Sequence, residues 1–282
     1  MTLHWKDKDI NFESNEDLNN EDLIKIAIKE IHINPSRIRL YYNGKNGRIL
    51  LHPRETIQQV GTNEFYVCDT GPQLPFRFAQ LLEYVPCIFI WLIVYIILKP
   101  ESNSYVKILS CMWIFHYCRR AFEVCFVHIF SNATIPIFSI LDNSSFKNCL
   151  YYWTFAGLQS YFGLRSHSYN EQLNLFGIII YILGEIGNCY SHIKLRLLRP
   201  KGSLLHYKPT GFLFDFITCP NYTCEILSWI GFAMCSQTII SILFPICGGS
   251  QMILWAHEKR EKLAYSFPEV RERGRILPCK YL

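Results

Sequence analysis

Four clusters of polar residues interrupt the long apolar stretches of this sequence, and one of them, FHYCRRAFE, has the residue types of a phosphate-binding site. Arginine binds phosphate through a planar fork of N–H donors, so Arg119 and Arg120 beside a histidine and a tyrosine favour a phosphate-rich ligand. Arg119 lies four residues before Glu123, a spacing at which the two side chains neutralise one another on a helix. The alternative is a positively charged loop between two membrane helices.

The GEIGNCYSHIKLRLLRPKG stretch predicts a second set of polar residues on one face of a helix. These residues fall at offsets of 0, 3, 7, 11 and 14, and they are Glu185, Asn188, His192, Arg196 and Arg199. An apolar span precedes Asn188, so this part of the face is predicted to lie within the membrane. The basic residues that follow fit a binding site or, alternatively, the solvated face of a helix close to a loop.

The other two clusters lie at the starts of apolar runs. An ionisable side chain inside a bilayer costs roughly 3 kcal/mol, so each one is a functional hypothesis. Glu83, in LLEYVP, is either a site residue or an interfacial acid that reaches water. In CPNYTCE, Asn221 and Glu225 are one helical turn apart and follow Pro220, which favours a helix start. The alternatives are helix capping for Asn221 and interfacial anchoring for Tyr222.

Long apolar segments must position these clusters. Half of the 282 residues are apolar, and the charged residues are concentrated in the first 70 and the last 26, so the mean hydropathy of +0.10 describes neither part. Because a bilayer requires about 20 apolar residues per helix, we predict an α-helical polytopic membrane protein with six or seven transmembrane helices. The candidate spans are Leu81–Leu98, Tyr105–Cys118, Ala121–Leu141, Asn148–Leu164, Leu173–Tyr190 and Ile226–Ala256, with a shorter apolar piece at Gly211–Cys219.

The last of these spans is a run of 31 residues without Asp, Glu, Lys, Arg or His. Proline lacks the N–H donor that continues a helix, so Pro245 and the pair Gly248–Gly249 are predicted to break the run. Its second part would then lie at the membrane interface.

Residues 1–70 are predicted to form a small, soluble α+β domain. LHWKD and DINFES can pair as a hairpin, NNEDLIKIAIKEI has the apolar spacing of a helix, and RIRLYY, RILLHP and EFYVCD read as strands. This ββαββ order with a late strand resembles the ubiquitin-like fold. Residues 71–77 are the predicted linker, 78–256 the membrane domain, and 257–282 a basic tail that fits the cytosolic side.

Several function classes are excluded by missing motifs. The twelve cysteines include no CxxC and no paired Cys/His spacing, so neither a metal centre nor a disulfide framework is predicted. No GxGxxG, GxxxxGK[ST], HExxH or GxSxG motif occurs, so a nucleotide would not be held in a Rossmann domain. The net charge of +5 follows from membrane topology, and no nucleic-acid partner is predicted. The N-terminus lacks the apolar region of a cleaved signal peptide.

Five segments together carry a family resemblance over about residues 64–256. They are DTGPQLPFRFAQLLEY, FHYCRRAFEVCFVHIFSNATIP, FKNCLYYWTFAGLQSY, LGEIGNCYSHIKLRLLRPKG and CPNYTCEILSWIGFA. In this order they resemble the steroid 5α-reductase family of membrane reductases, and most closely its very-long-chain trans-2-enoyl-CoA reductase branch. FVHIFS and the CPNY–E–SWIGFA run are the specific parts, and an N-terminal ubiquitin-like domain is typical of the same branch.

The resemblance implies a fold and an activity. It implies a helical bundle that holds NADPH in a cytosol-facing cavity and reduces the 2,3 double bond of trans-2-enoyl-CoA, the last step of very-long-chain fatty acid elongation. The expected location is the endoplasmic reticulum membrane, with the N-terminal domain and the C-terminal tail in the cytosol. The expected partners are the acyl-CoA substrate, the lipid bilayer and other elongation enzymes. The alternatives are a steroid or polyprenol reductase of this family and a non-catalytic membrane adaptor.

The resemblance also assigns roles to individual residues. Glu83 and Tyr117 match the residues that bind the substrate carbonyl in the steroid enzymes, and the enoyl-CoA branch implicates Tyr222 and Arg119. The expected cofactor contacts are Asn188, Arg196 or Arg199, Tyr207 with Lys208, Asn221 and Glu225, with His192 at a position where the steroid enzymes have an acid. Arg119, Arg120, Arg196 and Arg199 are expected to bind the cofactor phosphates, with the 2′-phosphate favouring NADPH.

A tyrosine donor is the central mechanistic expectation. Hydride addition at C3 of the enoyl thioester moves charge onto the carbonyl oxygen, and a preorganised donor there contributes about 3 kcal/mol. The donor is either Tyr117, oriented by Glu83, or Tyr222, with the other tyrosine delivering the proton to C2. HEKREKLAYSFP is shorter than the corresponding family segment, so the equivalence of Tyr265 stays open.

Overall fold

The chain folds into two compact units in a computed structural model. The structure describes residues 1–13, 18, 20–44, 47–51, 57–101, 103–130, 134–137, 144–166, 170–198 and 207–278. Unit 1 contains Met1–Ala79 together with Asn132–Phe146, and unit 2 contains Gln80–Ser131 together with Lys147–Leu282.

Unit 1 contains the strand-rich N-terminal region that the sequence predicts. Its strands and main helices are β1 (Thr2–Trp5), β2 (Lys8–Asn11), α1 (Asn20–Ile31), β3 (Ile38–Gly44), β4 (Gly47–Leu50), α2 (Ile57–Val60) and β5 (Glu64–Asp69). The five strands form one sheet in the order β2-β1-β5-β3-β4. Central β5 is parallel to β1 and antiparallel to β3. Leu23 and Ala27 of α1 are fully buried in one core with Leu3, Ile38 and Phe65, which explains the helical spacing of the apolar residues.

The residues expected to be a linker, 71–77, contain a short strand and the first two residues of a helix. β6 (Gln73–Pro75) pairs antiparallel with β7 (Thr134–Pro136), two segments far apart in the chain. Just before it, Arg37 donates hydrogen bonds of 2.9 and 2.5 Å to the two oxygens of Asp69. These bonds lower the pKa of Asp69. The end of β5 is thus fixed before the chain leaves the sheet.

Unit 2 is helical. Its long helices, the first and third of which begin in unit 1, are α3 (Phe76–Leu98), α4 (Ser104–Phe122), α5 (Ser144–Arg165), α6 (Glu171–Leu197), α7 (Pro220–Ser236) and α8 (Ile239–Ser266). Among the described residues, α3, α6 and α8 are long and apolar enough to cross a membrane. Their exposed side chains include large apolar ones such as Ile97, Phe176 and Leu254, which suit contact with lipid.

One predicted span is wrong, and the shorter apolar piece forms no long helix. Regular helix ends at Phe122, a π-helical turn covers Glu123–Val127, and Thr134–Pro136 is a strand, so no single membrane helix covers Ala121–Leu141. Apolar composition predicted the span, but strand pairing with β6 competes with helix formation in its second half. The Gly211–Cys219 piece contains only a 3₁₀ turn at Phe212–Asp215, after Gly211 at a φ of 78°.

The longest apolar run breaks at a different point from the predicted one. Gln237 adopts a left-handed conformation at a φ of 50°, and Thr238 then caps α8 by accepting a hydrogen bond from the Ser241 amide. Pro245 lies inside α8, which continues to Ser266. Proline has no backbone N–H, so one hydrogen bond of the helix is lost. In a membrane bundle, neighbouring helices can satisfy the freed backbone group, so the helix continues through the proline. The predicted break at Pro245 and Gly248–Gly249 is therefore wrong.

Aromatic donors on one helix bind backbone carbonyls on the next. Trp113 donates to the carbonyl of Cys87 at 3.0 Å, which joins α4 to α3. Tyr181 donates to the carbonyl of Met112 at 2.6 Å, which joins α6 to α4. Tyr151 donates to a carbonyl of α8 at 2.6 Å. Because lipid offers no competing hydrogen bonds, such contacts help to fix the helices that carry the site.

Glycine allows α6 and α7 to approach closely. A Cβ on Gly177 would lie 2.8 Å from the carbonyl oxygen of Gly231 and 2.7 Å from the sulfur of Cys235. We expect Gly177→Ala to destabilise the bundle by about 1–3 kcal/mol through overpacking. The matched control is Gly157→Ala on α5, where a Cβ would meet no atom within 4 Å. Thermal unfolding in detergent checks this, and an equal melting temperature for the two variants would contradict it.

Candidate active site

The residues of FHYCRRAFE form a buried ionic cluster at the end of α4. Arg119 and Arg120 each donate to a different oxygen of Glu123, both at 2.5 Å. Arg120 also donates to the hydroxyl of Tyr84 on α3 at 3.1 Å. Glu123 is 1% exposed, so its charge needs both cationic partners. The predicted pairing of Arg119 with Glu123 is present.

The polar face of α6 completes this cluster. Arg119 donates to Glu185 at 2.6 Å and to the side-chain oxygen of Asn188 at 2.8 Å. The Asn188 amide then donates to the backbone carbonyl of Asn221 at 2.7 Å and to Glu225 at 3.0 Å, both on α7. Residues separated by up to 106 positions thus meet through Asn188. Glu185 and Asn188 of this face thus lie in the protein interior and not in solvent.

His116 joins two of the carboxylates. Its Nδ1 atom is 2.7 Å from Glu185, and its Nε2 atom is 3.1 Å from Glu225. Both carboxylates accept hydrogen bonds, so the imidazolium with two N–H donors is the form that satisfies both contacts. With Arg119 and Arg120 it supplies three positive charges against the three carboxylates of the cluster. This balance explains how six ionisable groups are stable in an apolar bundle.

A cavity of about 330 Å³ lies beside the cluster, and we call it the basic cavity. Its lining includes Arg196 from α6, Lys259 and Lys262 from α8, and Tyr207 and Asn221 from the segment before and at the start of α7. The volume lies within the range of about 300–1,000 Å³ typical of small-molecule sites. Three cationic side chains in the lining favour a ligand with phosphate groups. Arg119 and Arg120 do not line this cavity.

His128 also lines the basic cavity, and its role was not predicted although FVHIFS was singled out as a specific motif. Its Nε2 atom is 3.2 Å from Nδ1 of His192, whose other nitrogen is 2.9 Å from Arg120. Burial, together with the charges of Arg120, Arg119 and Lys259, lowers the pKa of His128 to about 3. His128 is therefore a neutral hydrogen-bonding group on the cavity wall.

Glu123, His128 and His192 lie close enough together to hold a metal ion by distance alone. Their ligand atoms already have other partners, since Glu123 accepts from two arginines and His192 faces both Arg120 and His128. Nearby arginine charges also oppose cation binding. The group is better explained as part of the hydrogen-bonded wall.

A second cavity, of about 210 Å³, lies between α5, α7 and α8, and we call it the aromatic cavity. Its lining is Lys147, Asn148, Tyr151, Tyr152, Ile226, Trp229, Phe244, Pro245, Cys247, Gly248, Gly249, Gln251, Met252 and Trp255. Most of this wall is apolar or aromatic, and Lys147 is its only cationic residue among those described. The cavity therefore suits an apolar ligand with a polar end.

Tyr117 and Glu83 lie behind the wall of the aromatic cavity. The Tyr117 ring is 5.8 Å from that of Trp229 and 6.5 Å from that of Tyr152. The Tyr117 side chain is fully buried, and its hydroxyl has no hydrogen-bond partner among the described residues. Glu83 is 4% exposed and accepts from Gln80 at 3.5 Å. The structure shows no contact between Glu83 and Tyr117, so it does not show the predicted orientation of one by the other.

Tyr222 lies apart from Tyr117. Its hydroxyl accepts a hydrogen bond of 2.6 Å from Lys259, which also lies over its ring at 4.5 Å. Its ring is 6.3 Å from that of Trp255, a residue of the aromatic cavity. Lys259 lines the basic cavity, so the Tyr222–Lys259 pair connects residues from the walls of both cavities.

The other residues considered for the site lie in different parts of the structure. Tyr207 lines the basic cavity, whereas Lys208 donates to Glu269 at 2.6 Å. That bond lowers the pKa of Glu269. Tyr265 is 92% exposed, and Arg199 lies outside the residues that the structure describes. Lys259 and Lys262 were not predicted, because the tail was read as a topology signal and its first part continues α8.

Comparison with known proteins identifies the same family that the sequence motifs resemble. The family described as 3-oxo-5-alpha-steroid 4-dehydrogenase matches residues 133–280. A very-long-chain enoyl-CoA reductase of Dictyostelium discoideum is 37% identical over 227 residues, which cover 77% of this chain and 73% of that protein. A probable very-long-chain enoyl-CoA reductase of Caenorhabditis elegans is 34% identical, with 76% and 74% covered. A trans-2,3-enoyl-CoA reductase-like protein of Mus musculus is 28% identical, with 86% and 72% covered.

The family match covers those parts of the buried cluster and of both cavities that lie after residue 133. The two relatives above 30% identity extend over most of the chain. The chain is thus an oxidoreductase that belongs to the 3-oxo-5-alpha-steroid 4-dehydrogenase family, in the branch of the very-long-chain enoyl-CoA reductases.

Proposed function

We propose that the chain reduces the 2,3 double bond of trans-2-enoyl-CoA to the saturated acyl-CoA with NADPH as reductant. The observation that carries the proposal is that α7 has residues on both cavities. Asn221 lines the basic cavity, and Ile226 and Trp229 line the aromatic cavity. A cofactor with phosphates and an apolar acyl thioester would thus both contact one helix, α7. The names of the relatives agree with this reaction.

The residues of the basic cavity fit NADPH. Arg196 and Lys262 would bind its phosphates, and the 2′-phosphate gives NADPH a charge that NADH lacks. Tyr207 and Asn221 would hold its uncharged groups by hydrogen bonds. Asn188 and Glu225, through their bonds to the α7 start, would hold this wall in shape.

The protein's part in the reaction is to stabilise charge and deliver a proton. When bound, NADPH supplies the hydride that adds to C3 of the enoyl thioester. The hydroxyl of Tyr117 would donate to the carbonyl oxygen, where negative charge develops. Tyr222 would then deliver the proton to C2. Tyr117 is assigned to the oxygen because its buried hydroxyl has no described partner, whereas Tyr222 is linked to an exposed lysine.

The same proposal includes the number of transmembrane helices, the domain boundaries and the location of the protein. We include α4, α5 and α7 with the three qualifying spans, which gives six transmembrane helices. The sheet order β2-β1-β5-β3-β4 with α1 packed on it supports a ubiquitin-like domain over residues 1–70, followed by the connection at 71–77. Residues 78–256 would be the reductase domain and 257–282 the basic tail. The expected location is the endoplasmic reticulum membrane, with both terminal parts cytosolic and other elongation enzymes as partners.

Loss of one cationic side chain from the basic cavity should weaken NADPH binding. We expect Arg196→Met and Lys262→Met each to raise the Kd for NADPH about 10-fold, since a charge-assisted hydrogen bond contributes about 1.5–3 kcal/mol. Titration followed by NADPH fluorescence measures this. Lys107→Met, an exposed lysine near the start of α4, is the matched control. Unchanged affinity in both cavity variants would contradict the assignment of the cavity.

The experiment that tests the proposed function is NADPH oxidation by the purified protein in detergent. The substrates are trans-2-hexadecenoyl-CoA, a 3-oxo-4-ene steroid and a polyprenal, assayed side by side. We expect oxidation with the enoyl thioester. Oxidation with the steroid or the polyprenal alone would replace the substrate class, and protein that neither binds NADPH nor oxidises it would favour the adaptor function.

A further inference from the structure

We propose that Lys259 is a positioning residue that holds Tyr222 and stabilises its phenolate when Tyr222 gives up its proton. The inference deepens the proposed function and rests on it. Lys259 belongs to the helical extension of α8 beyond the apolar run, within the HEKREKLAYSFP segment, and no role was predicted for it. Its pairing with Tyr222 joins residues 37 positions apart.

The direction of the hydrogen bond carries the argument. The Lys259 ammonium has only donors, so the Tyr222 oxygen must accept at 2.6 Å. The tyrosine's own O–H is then available for a different acceptor. The ammonium also lies over the ring at 4.5 Å, which limits the orientations of the side chain. Lys259 therefore orients the Tyr222 proton without competing for it.

The position of the pair suits proton delivery. Lys259 lines the basic cavity, and Tyr222 lies beside Trp255 of the aromatic cavity. A group that protonates the substrate beside the cofactor must lie where the two cavities come together. Tyr222 and Ile226, a residue of the aromatic cavity, both pack against a small cluster of Cys219, Ala256 and Ile276. The tyrosine end of the pair is thus fixed by packing.

The proposed step is balanced. After hydride addition at C3, the Tyr222 O–H bond breaks, a C–H bond forms at C2 of the enolate, and the electron pair of the broken bond stays on the tyrosine oxygen. The ammonium 2.6 Å away stabilises this phenolate. Lys259 is exposed, so water reaches the pair and returns a proton to the tyrosine oxygen.

Substitution of Lys259 should lower kcat and leave substrate binding unchanged. We expect Lys259→Met to reduce kcat about 10-fold or more, within the range of general acid contributions. With NADPH kept saturating, the KM for enoyl-CoA should change less than about 3-fold, well below one charge-assisted hydrogen bond. Lys259→Arg keeps a charged donor and should restore most of the rate. Lys107→Met is the control for a lysine lost elsewhere on the bundle.

A double-mutant cycle separates this role from a structural one. Tyr222→Phe removes the proton donor, so adding Lys259→Met to it should cause no further loss of kcat. Independent losses that multiply would overturn the inference, as would a Lys259→Met enzyme with the wild-type kcat. If the wild-type protein reduces no enoyl-CoA, the proposed function fails first, and fluorescence titration still shows whether Lys259 instead binds NADPH.

Discussion

Tyr117→Phe is expected to lower kcat about 100-fold, because it removes a preorganised donor from the carbonyl oxygen in a buried site. Folding stability should stay close to that of the wild type. The Tyr117 hydroxyl has no hydrogen-bond partner among the described residues, so its removal leaves no protein group there unpaired. Turnover with trans-2-hexadecenoyl-CoA and thermal unfolding measure the two effects.

Tyr181→Phe is the matched control for this variant. Tyr181 is also buried, but its hydroxyl donates to the Met112 carbonyl at 2.6 Å. Its loss should cost about 1 kcal/mol of stability and leave kcat per folded molecule near the wild-type value. A Tyr117→Phe enzyme with wild-type kcat would remove Tyr117 from the mechanism.

Glu185→Ala is expected to destabilise the protein by about 3–5 kcal/mol, because it leaves three buried cations facing two carboxylates, so that one positive charge is uncompensated. Glu185 faces His116 at 2.7 Å and Arg119 at 2.6 Å, and it is 4% exposed. Thermal unfolding in detergent and the yield of folded protein measure the effect.

The control for Glu185→Ala is Glu171→Ala in the exposed first turn of the same helix. That residue interacts with the helix dipole, which contributes no more than about 1 kcal/mol. Arg119→Met added to Glu185→Ala should recover part of the loss, because it removes the excess positive charge. Equal stability of the Glu185 and Glu171 variants would show that the cluster does not need Glu185.

Helical spacing predicted much of the site from the sequence. Glu185, Asn188 and His192 were placed on one face by their offsets, and Arg119 and Glu123 were paired by theirs. Such periodicity is a local property, so it is visible in a single segment. The same holds for the alternating strands of the N-terminal sheet and for the apolar stretches of α3 and α6.

The pairing of one helix face with another could not be predicted. Arg119 and Arg120 were assigned to phosphate by residue type, but three carboxylates from α6, α7 and the π-helical turn are close enough to compete for them. The spacing of residues within one segment does not show which residues of another segment they will contact. His128 and Lys259 were missed for the same reason, since each becomes a site residue only through a partner distant in the chain.

The predicted helix boundaries were wrong where a helix cap, and not the helix-breaking preference of proline, decided where the helix ends. Pro245 was expected to end a helix, yet the chain breaks at Gln237, where Thr238 supplies a cap for the next helix. A Ser-Gln-Thr sequence inside an apolar run was the available signal. In the Ala121–Leu141 segment, apolar composition was read as a span although Thr134–Pro136 pairs with another strand.

The most direct test of the account is the product formed from trans-2-hexadecenoyl-CoA with NADPH carrying deuterium at C4 of the nicotinamide. Mass spectrometry of the product is the readout, with the purified wild-type protein in detergent. We expect hexadecanoyl-CoA with deuterium at C3 and a solvent proton at C2. Unchanged enoyl-CoA, in protein that is folded and supplied with the reduced cofactor, would contradict it.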